Sequence, residues 1–165
     1  MNPDYRTGIG FDVHSFAANR KLVLGGIEIP FDKGLAGHSD ADVLLHAICD
    51  ALLGAVSMGD IGQHFPDTDQ KYKNADSKIL LKQVYKIVLD KGYILGNVDA
   101  VVAMQAPKLS PYILNIRKTI SGILNCHPDQ VSVKATTTER LGFVGREEGV
   151  SAFATVLIIK NKNND

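Results

Sequence analysis

Residues 39–55 read SDADVLLHAICDALLGA, and this stretch decides the fold. Ser39 is typical of a helix N-cap, and Asp40 and Asp42 suit a first helical turn, so we expect a helix from Ser39 to about Ala55. Nearly all of its other positions are apolar, which indicates a helix that is buried on most sides. Its few polar groups must then find partners inside the protein.

Strand and helix patterns alternate on both sides of this stretch. Two further helices are expected over residues 76–90 and from Ser110-Pro111, as N-cap and first residue, to about Asn125. Strands are expected over residues 8–14, 98–104, 131–137 and 151–159, with a hairpin of residues 22–24 and 27–29 around Gly25-Gly26. Residues 59–72 show no periodicity and are expected to form a long loop, which in a compact domain is often functional.

The predicted fold class is α/β (α+β): a two-layer domain with a mixed sheet of about four to five strands and three helices on one face. The whole chain, residues 1–165, is expected to form one domain with a frayed tail at residues 161–165. The other sheet face is left uncovered. That favours self-association, because a wide apolar surface is costly to expose to water.

Charge and composition exclude several kinds of partner. Eighteen basic residues balance eighteen acidic ones, so no overall charge recruits nucleic acid or a membrane surface. No stretch approaches the roughly 20 apolar residues that span a bilayer, and residues 1–7 lack the features of a secretory signal. Cys49 and Cys126 are typical of buried thiols in a reducing compartment. A cytoplasmic protein is therefore expected.

A metal site is suggested by two separated patterns. Asp12 and His14 lie on the same face of a predicted strand, while Val13 between them is expected to point into the core. On the helix, a narrow polar stripe interrupts the apolar surface at Ser39, Asp42, His46 and Asp50. Either pattern alone is usually structural, but the two together favour a metal ion.

Asp12, His14 and His46 would supply three ligands and leave a fourth position open, as in catalytic zinc sites. Asp42, one turn before His46, is either a further ligand or a partner that fixes the imidazole. His38 and Asp40 are additional candidates at the helix mouth, where free backbone N–H groups favour anions.

A phosphate site is suggested by Lys134-Ala-Thr-Thr-Thr-Glu139 at the end of a predicted strand. A threonine run is typical of an ordinary strand or turn, so composition alone favours a structural role. The functional interpretation is that the hydroxyls bind phosphate and Glu139 holds a cation such as Mg²⁺. Arg146 is either a phosphate clamp or an ion-pair partner of Glu147 or Glu148. No Walker-type glycine loop or dinucleotide fingerprint occurs in the sequence.

Six motifs resemble the 2-C-methyl-D-erythritol 2,4-cyclodiphosphate synthase family, and they occur in order from about residue 6 to residue 160. They are Gly10-Phe-Asp-Val-His14, Gly37-His-Ser-Asp-Ala-Asp-Val43, Gly59-Asp-Ile-Gly62, Phe65-Pro-Asp-Thr-Asp69, Gln105-Ala-Pro-Lys108 and Lys134-Ala-Thr-Thr-Thr-Glu-Arg-Leu-Gly-Phe143.

The resemblance implies an enzyme, a phosphorus-oxygen lyase of non-mevalonate isoprenoid synthesis. It would close 4-diphosphocytidyl-2-C-methyl-D-erythritol 2-phosphate to the 2,4-cyclodiphosphate and release CMP. The substrate's own 2-phosphate attacks the β-phosphorus, so catalysis consists of positioning and charge neutralisation.

The resemblance also implies the roles of individual residues. Zn²⁺ would be bound by Asp12, His14 and His46, and Mg²⁺ or Mn²⁺ by Glu139. Substrate-binding residues would be His38, Ser39, Asp60, Gly62, Phe65, Asp67, Asp69, Phe143 and Arg146. The nucleotide pocket would contain Met104, Pro107, Lys108, Leu109, Ala135, Thr136 and Thr137. Thr137 and Asp60 are also expected to take part in catalysis.

The resemblance further implies a homotrimer with active sites between subunits, which agrees with the uncovered sheet face. Phe11, Phe143 and Arg146 resemble the lining of a central cavity that holds isoprenoid diphosphates in some members. A bacterial cytoplasmic protein is implied, and a plastid form without its transit peptide would show the same sequence features.

Two other functions fit part of the pattern. A zinc phosphohydrolase could use the same ligands with Asp60 or Asp67 as general base, and it would release linear products. A non-catalytic isoprenoid-diphosphate sensor would use only the trimer cavity, but it would not need Asp12, His14, His46 and Glu139.

Overall fold

The computed structural model describes residues 4–66, 68–70 and 75–162. The strands are β1 (Tyr5–Ala18), β2 (Leu22–Leu24), β3 (Ile27–Ile29), β4 (Lys33–Leu35), β5 (Tyr93–Ala103), β6 (Val131–Thr136) and β7 (Gly149–Lys160). The helices are α1 (Val43–Ala55), α2 (Ile61–His64), α3 (Ser77–Asp90), α4 (Ile113–Ile123) and α5 (Gly142–Gly145), with a 3₁₀ turn at Pro128–Gln130.

Five strands form one mixed sheet in the order β4-β1-β7-β5-β6, and β2 and β3 form a separate hairpin. Only β5 and β6 run parallel among the pairs of this sheet that the structure describes. The register places Asp12 opposite Ala152, Ala152 opposite Val102, and Val102 opposite Ala135. These four residues therefore form one row across the sheet. The predicted mixed sheet is confirmed.

The helices cover one face of the sheet, as predicted. Helix α1 packs on β1 and β7, α3 on α1 and β5, and α4 on β6. Helix α1 is the centre of the core, with Leu44, Leu45, Ile48 and Leu52 fully buried. Because α1 packs against β1 on one side and α3 on another, the apolar side chains of residues 43–55 are buried on most sides of the helix.

The opposite sheet face is uncovered and apolar in this chain. Ile9, Phe11 and Val13 of β1 and Phe153 of β7 are exposed, and the rings of Phe11 and Phe153 lie 4.7 Å apart. The expectation that Val13 points into the core is wrong, since its side chain is 44% exposed. The alternation along the strand was predicted, but the core lies on the side of Asp12 and His14, where α1 packs.

Two predicted helix starts are wrong. Helix α1 begins at Val43 with Asp42 as its N-cap, not Ser39, because the Asp42 carboxylate accepts the Leu45 N–H. Helix α4 begins at Ile113 after Tyr112, and the predicted cap Ser110-Pro111 lies in the preceding turn. Helix α3 begins after Asp76, close to the prediction. The predicted loop of residues 59–72 contains α2, which is capped by Asp60.

The end of the described chain is partly held in place. The Asn161 N–H donates to the Gly92 carbonyl, and residues 163–165 of the predicted tail lie outside the described residues. Among the helices that the structure describes, none combines the length and the apolar composition that crossing a bilayer requires.

Candidate functional site: a metal cluster and two pockets

Strand β1 and helix α1 bring three potential metal ligands together. Asp12 Oδ2 lies 2.9 Å from His14 Nε2 and 3.0 Å from His46 Nδ1, and the two ring nitrogens are 3.2 Å apart. One ligand atom from each residue can be chosen so that all lie within 4.8 Å of one another. One carboxylate oxygen and two imidazole nitrogens form a donor set that suits zinc and related divalent ions.

The remaining ring nitrogens point away from the cluster. His14 Nδ1 is 2.7 Å from the Ala36 carbonyl oxygen, to which it can only donate, so in the neutral ring the lone pair is on Nε2, the nitrogen that faces the cluster. His46 Nε2 lies 2.9 Å from Ser77 Oγ and 3.2 Å from Ser39 Oγ. Each imidazole is thus held in place by hydrogen bonds to the ring nitrogen that faces away from the cluster, as is usual for histidines that bind metals. The residues therefore fit a bound metal ion.

The electrostatics of the cluster favour a cation. Burial alone would raise the pKa of Asp12, but hydrogen bonds and charge from His14 and His46 outweigh it and lower the pKa from 3.8 to about 2. Burial would lower the pKa of His14, but the hydrogen bond and charge of Asp12 raise it above 6.5. Asp12 is therefore a carboxylate at neutral pH, and protons compete with a metal for the site.

Asp42 does not contact the cluster through any of its hydrogen bonds in the structure. Its carboxylate is fully buried and accepts N–H groups from Gly25, Gly26 and Leu45 at 3.0, 2.7 and 3.0 Å. These hydrogen bonds join the start of α1 to the β2–β3 hairpin, and none of them reaches His46 as a ligand or an imidazole partner would.

The metal cluster forms one wall of a cavity of about 240 Å³. The other residues that line it are Gly37, His38, Ser39, Ile61, Gly62, Phe65 and Leu80. Four of the predicted substrate residues, His38, Ser39, Gly62 and Phe65, are thus brought to the cluster. At the far end of α1, Asp50 accepts the Ile61 N–H at 2.8 Å and fixes the start of α2 against this cavity.

Among the described residues, four other predicted substrate residues do not line this cavity: Asp60, Asp69, Phe143 and Arg146. Asp60 caps α2 by accepting the Gln63 N–H, and the Asp69 carbonyl lies 3.4 Å from His38 Nε2. Phe143 lies in α5, and Arg146 follows it and forms an ion pair with Glu148, which was one of its two predicted partners. Asp67 lies outside the described residues.

A second pocket, of about 170 Å³, lies where the parallel strands β5 and β6 end. All seven predicted nucleotide residues line it, together with two that the sequence did not suggest: Met104, Gln105, Pro107, Lys108, Leu109, Ser110, Ala135, Thr136 and Thr137. Ligands commonly bind at the carboxyl ends of parallel strands, because the loops there diverge and leave a crevice.

Glu139 stands next to this pocket in an unusual backbone conformation. Its φ is 53° and that of Arg140 is 64°, a left-handed region that is costly for side chains of this kind. Thr137 Oγ1 donates to Glu139 Oε1 at 3.3 Å, and the carboxylate is exposed. The turn therefore presents a carboxylate to solvent beside the predicted nucleotide pocket.

Two residues that contact the site, Ser77 and Arg20, could not be predicted from a sequence pattern. Ser77 starts α3 and reaches His46 from 31 positions away. Arg20 donates to the carbonyl oxygens of Gly37 and Ser39 at 3.3 and 2.7 Å and so holds the segment that carries His38. Neither residue belongs to a pattern that periodicity could reveal.

Comparison with known proteins agrees with this architecture. The YgbB family model matches residues 5–159. Proteins named 2-C-methyl-D-erythritol 2,4-cyclodiphosphate synthase from Lysinibacillus sphaericus and Bacillus subtilis are each 60% identical over 156 residues, which is 94% of this chain and 99% of each relative.

Solved structures show the same fold. A Plasmodium falciparum protein described as an IspF CDP complex superposes with a TM-score of 0.86 at 36% identity, covering 98% of this chain and 100% of that one. The bifunctional IspDF from Campylobacter jejuni superposes with a TM-score of 0.91 at 47% identity. The match covers 94% of this chain but only 42% of that longer protein. By its sequence and its fold, this chain belongs to the YgbB family of 2-C-methyl-D-erythritol 2,4-cyclodiphosphate synthases.

Proposed function

We propose that this protein is a phosphorus-oxygen lyase that converts 4-diphosphocytidyl-2-C-methyl-D-erythritol 2-phosphate to the 2,4-cyclodiphosphate and CMP. The observation that carries the proposal is the cluster of Asp12, His14 and His46 in the wall of a cavity, in a chain of this family. In the reaction a 2-phosphate oxygen attacks the β-phosphorus, and the bond from that phosphorus to the bridging oxygen breaks. CMP leaves with that oxygen.

Asp12, His14 and His46 would hold Zn²⁺. A zinc ion with an open coordination position acts as a Lewis acid towards a phosphate oxygen. Ser39 and His38 line the same cavity and can donate hydrogen bonds to the phosphate. The half-buried ring of Phe65 forms part of the wall and helps to exclude water. Asp60, at the start of α2, would contact the erythritol hydroxyls, and Asp67 and Asp69 are also proposed as substrate-binding residues.

Glu139 would hold Mg²⁺ or Mn²⁺, which would neutralise charge on the diphosphate, and Thr137 would orient the Glu139 carboxylate. The pocket lined by Met104, Lys108 and Ala135 would hold the cytidine diphosphate, with the ammonium group of Lys108 offering charge to the phosphates. We expect Glu139→Gln to raise the Mg²⁺ concentration needed for half-maximal rate, while zinc content stays unchanged. An unaltered Mg²⁺ titration would rule out this role.

The positions of the two sites favour an active site between subunits. Asp12 and Ala135 lie in one row of the sheet, separated by three strand spacings or about 14 Å. Both sites would have to act on one substrate, whose 2-phosphate and β-phosphate must come together for the ring to close. A second copy of the chain can bring its nucleotide pocket closer to Asp12. We propose a homotrimer in which each site combines zinc ligands of one subunit with Glu139 of the next.

Mixed trimers test this arrangement directly. His46→Ala and Glu139→Gln subunits would each be impaired alone, but after unfolding and refolding together they should form sites with both intact halves. For random mixing at equal amounts, about a quarter of the sites should be intact. No recovery of activity in verified mixed trimers would mean that each site lies within one subunit.

The uncovered sheet face would form the trimer contact and enclose the central cavity. Ile9, Phe11 and Phe153 expose an apolar surface there, which a second copy would bury. We expect Ile9→Asp to shift the protein towards monomer in light-scattering chromatography, while Leu114→Asp, an exposed leucine on α4, leaves the mass unchanged. An isoprenoid diphosphate is the proposed cavity ligand, with its chain against Phe11 and Phe143 and its diphosphate near Arg146.

A further inference from the structure

Three polar side chains form a chain of hydrogen bonds behind the metal cluster. His46 Nε2 lies 2.9 Å from Ser77 Oγ, and Ser77 Oγ lies 2.5 Å from Asp40 Oδ1. Asp40 Oδ2 accepts the Ser77 N–H at 3.0 Å, so both carboxylate oxygens of Asp40 contact Ser77. Ser77 is fully buried and His46 is 7% exposed, which shields the contact between them from water, while Asp40 is half-buried.

The direction of these hydrogen bonds follows from their donors and acceptors. An ionised carboxylate can only accept, so the Ser77 hydroxyl must donate its proton to Asp40. The Ser77 oxygen is then left as an acceptor towards His46. His46 Nε2 must therefore carry a ring proton, so in the neutral ring the lone pair is on Nδ1, the nitrogen that faces Asp12 and His14 and that a metal would take over from its hydrogen bond with Asp12.

We propose that Asp40 and Ser77 are positioning residues that hold His46 in the Nε2–H tautomer and so prepare Nδ1 to bind the metal. The inference rests on the metal site of the proposed function and extends it to two residues outside the ligand set. His14 is fixed independently by the Ala36 carbonyl, and Asp42 is committed to the hairpin. Of the three ligands, His46 is therefore the one that Asp40 and Ser77 position.

A second consequence concerns Ser39. Its oxygen accepts the Ala41 N–H at 3.1 Å and lies 3.2 Å from His46 Nε2. Because Nε2 carries a proton, the Ser39 hydroxyl cannot donate to it, and its own proton is free to point into the cavity that Ser39 lines. The same pair therefore also makes Ser39 a donor for a phosphate oxygen.

Substitutions at Asp40 and Ser77 test the proposal through zinc affinity, measured on the purified full-length protein by competition with a chromogenic chelator. Ser77→Ala removes the acceptor for Nε2–H. In Asp40→Asn the amide NH₂ faces either the Ser77 N–H, which leaves that donor without its acceptor, or the Ser77 oxygen, which reverses the direction of the chain. Each should weaken zinc binding about 10- to 100-fold, whereas Ser77→Thr, which keeps the hydroxyl, should stay close to the wild type.

Asp76→Ala is the matched control for folding. Asp76 caps α3 beside Ser77 by accepting the Lys78 N–H, and its side chain also pairs with the Lys78 ammonium group rather than with His46. It should lower the melting temperature without changing zinc affinity. If Ser77→Ala and Asp40→Asn bind zinc as tightly as the wild type, the proposal is overturned.

Nitrogen-15 NMR of the zinc-loaded wild type provides a test that needs no variant. The expected spectrum shows the His46 ring proton on Nε2, coupled to its nitrogen and slow to exchange with water. A ring proton on Nδ1, with zinc bound through Nε2, would overturn the proposal. Neither measurement includes substrate. A protein with this tautomer and these affinities that makes no cyclic product would contradict the proposed function and leave the inference standing.

Discussion

Gly10 of β1 lies directly against the backbone of Ala47 in α1, so that a Cβ atom on Gly10 would come within 1.8 Å of the Ala47 carbonyl oxygen. Gly8 has the same relationship with Ala51, at 1.9 Å. Only glycine permits so close an approach of a strand and a helix. Since Ala47 follows His46 and Gly10 precedes Asp12 by two residues, this contact sets the distance between the metal ligands.

Gly10→Ala should therefore damage both stability and metal binding. The added methyl group meets backbone rather than a flexible side chain, so α1 must move away from β1. We expect a loss of about 1–3 kcal/mol of unfolding free energy, as for other overpacked cores, together with weaker zinc binding. Chemical denaturation and zinc competition measure the two effects.

Gly122→Ala is the matched control, because nothing lies within 4 Å of a Cβ atom at that position. It sits in α4, where alanine favours the helix by up to about 1 kcal/mol over glycine. Equal behaviour of the two variants would contradict the role assigned to the Gly10 contact.

Asp42→Ala should destabilise the protein by about 2–3 kcal/mol, because three backbone N–H groups lose their buried acceptor. Asp76→Ala, which removes an N-cap at a more exposed position, should cost about 1 kcal/mol. Denaturant titration of both variants measures the difference. A loss at Asp42 no larger than that at Asp76 would show that the hairpin connection contributes little.

Asp42 should also make stability depend on pH. Burial raises the pKa of Asp42 from 3.8 to about 6. The negative charge of Asp40 also raises this pKa, while the hydrogen bonds from the Leu45, Gly26 and Gly25 N–H groups lower it. The folded state then binds a proton that the unfolded state has released, so the stabilising contribution of protonated Asp42 is present near pH 4 and is lost as the pH rises through 6.

Asp42→Asn isolates this effect, since asparagine does not titrate. Relative to this variant, the wild type should lose stability between pH 4 and pH 7, by at most about 3 kcal/mol. Denaturant midpoints of the metal-free proteins across this range provide the test. A difference between the two proteins that stays constant with pH would contradict it.

His46→Ala should abolish metal binding and turnover while leaving the fold intact. Alanine is a good helix former, and the removed ring makes polar contacts rather than filling the apolar core. Metal content, circular dichroism and chromatographic mass measure these properties. Full activity in a metal-free His46→Ala protein would refute the zinc assignment.

Prediction from the sequence succeeded for helices and strands whose own residue pattern matches the environment in which they pack. Residues 43–55 are apolar on nearly every side, and the structure buries them on nearly every side. The hairpin bounds were correct because Gly25 and Gly26 both adopt positive φ, at 60° and 78°, which two consecutive glycines readily do.

The sequence could not decide between residues of equal local preference. Ser39 and Asp42 are both good N-caps, and the choice depends on the hairpin amides that a distant segment brings to Asp42. Ser77 had no signal, because its role arises only where α3 meets α1. The relation of Glu139 to the metal cluster has no local signal either, since it would form between subunits.

The most direct test of the proposed function is phosphorus-31 NMR of the purified protein with 4-diphosphocytidyl-2-C-methyl-D-erythritol 2-phosphate, Mg²⁺ and Zn²⁺, repeated after chelation. We predict signals of a cyclic diphosphate and CMP that disappear on chelation and return when zinc is restored. Linear hydrolysis products would indicate a phosphohydrolase instead. An unchanged substrate spectrum from folded, zinc-loaded protein would contradict the proposed function.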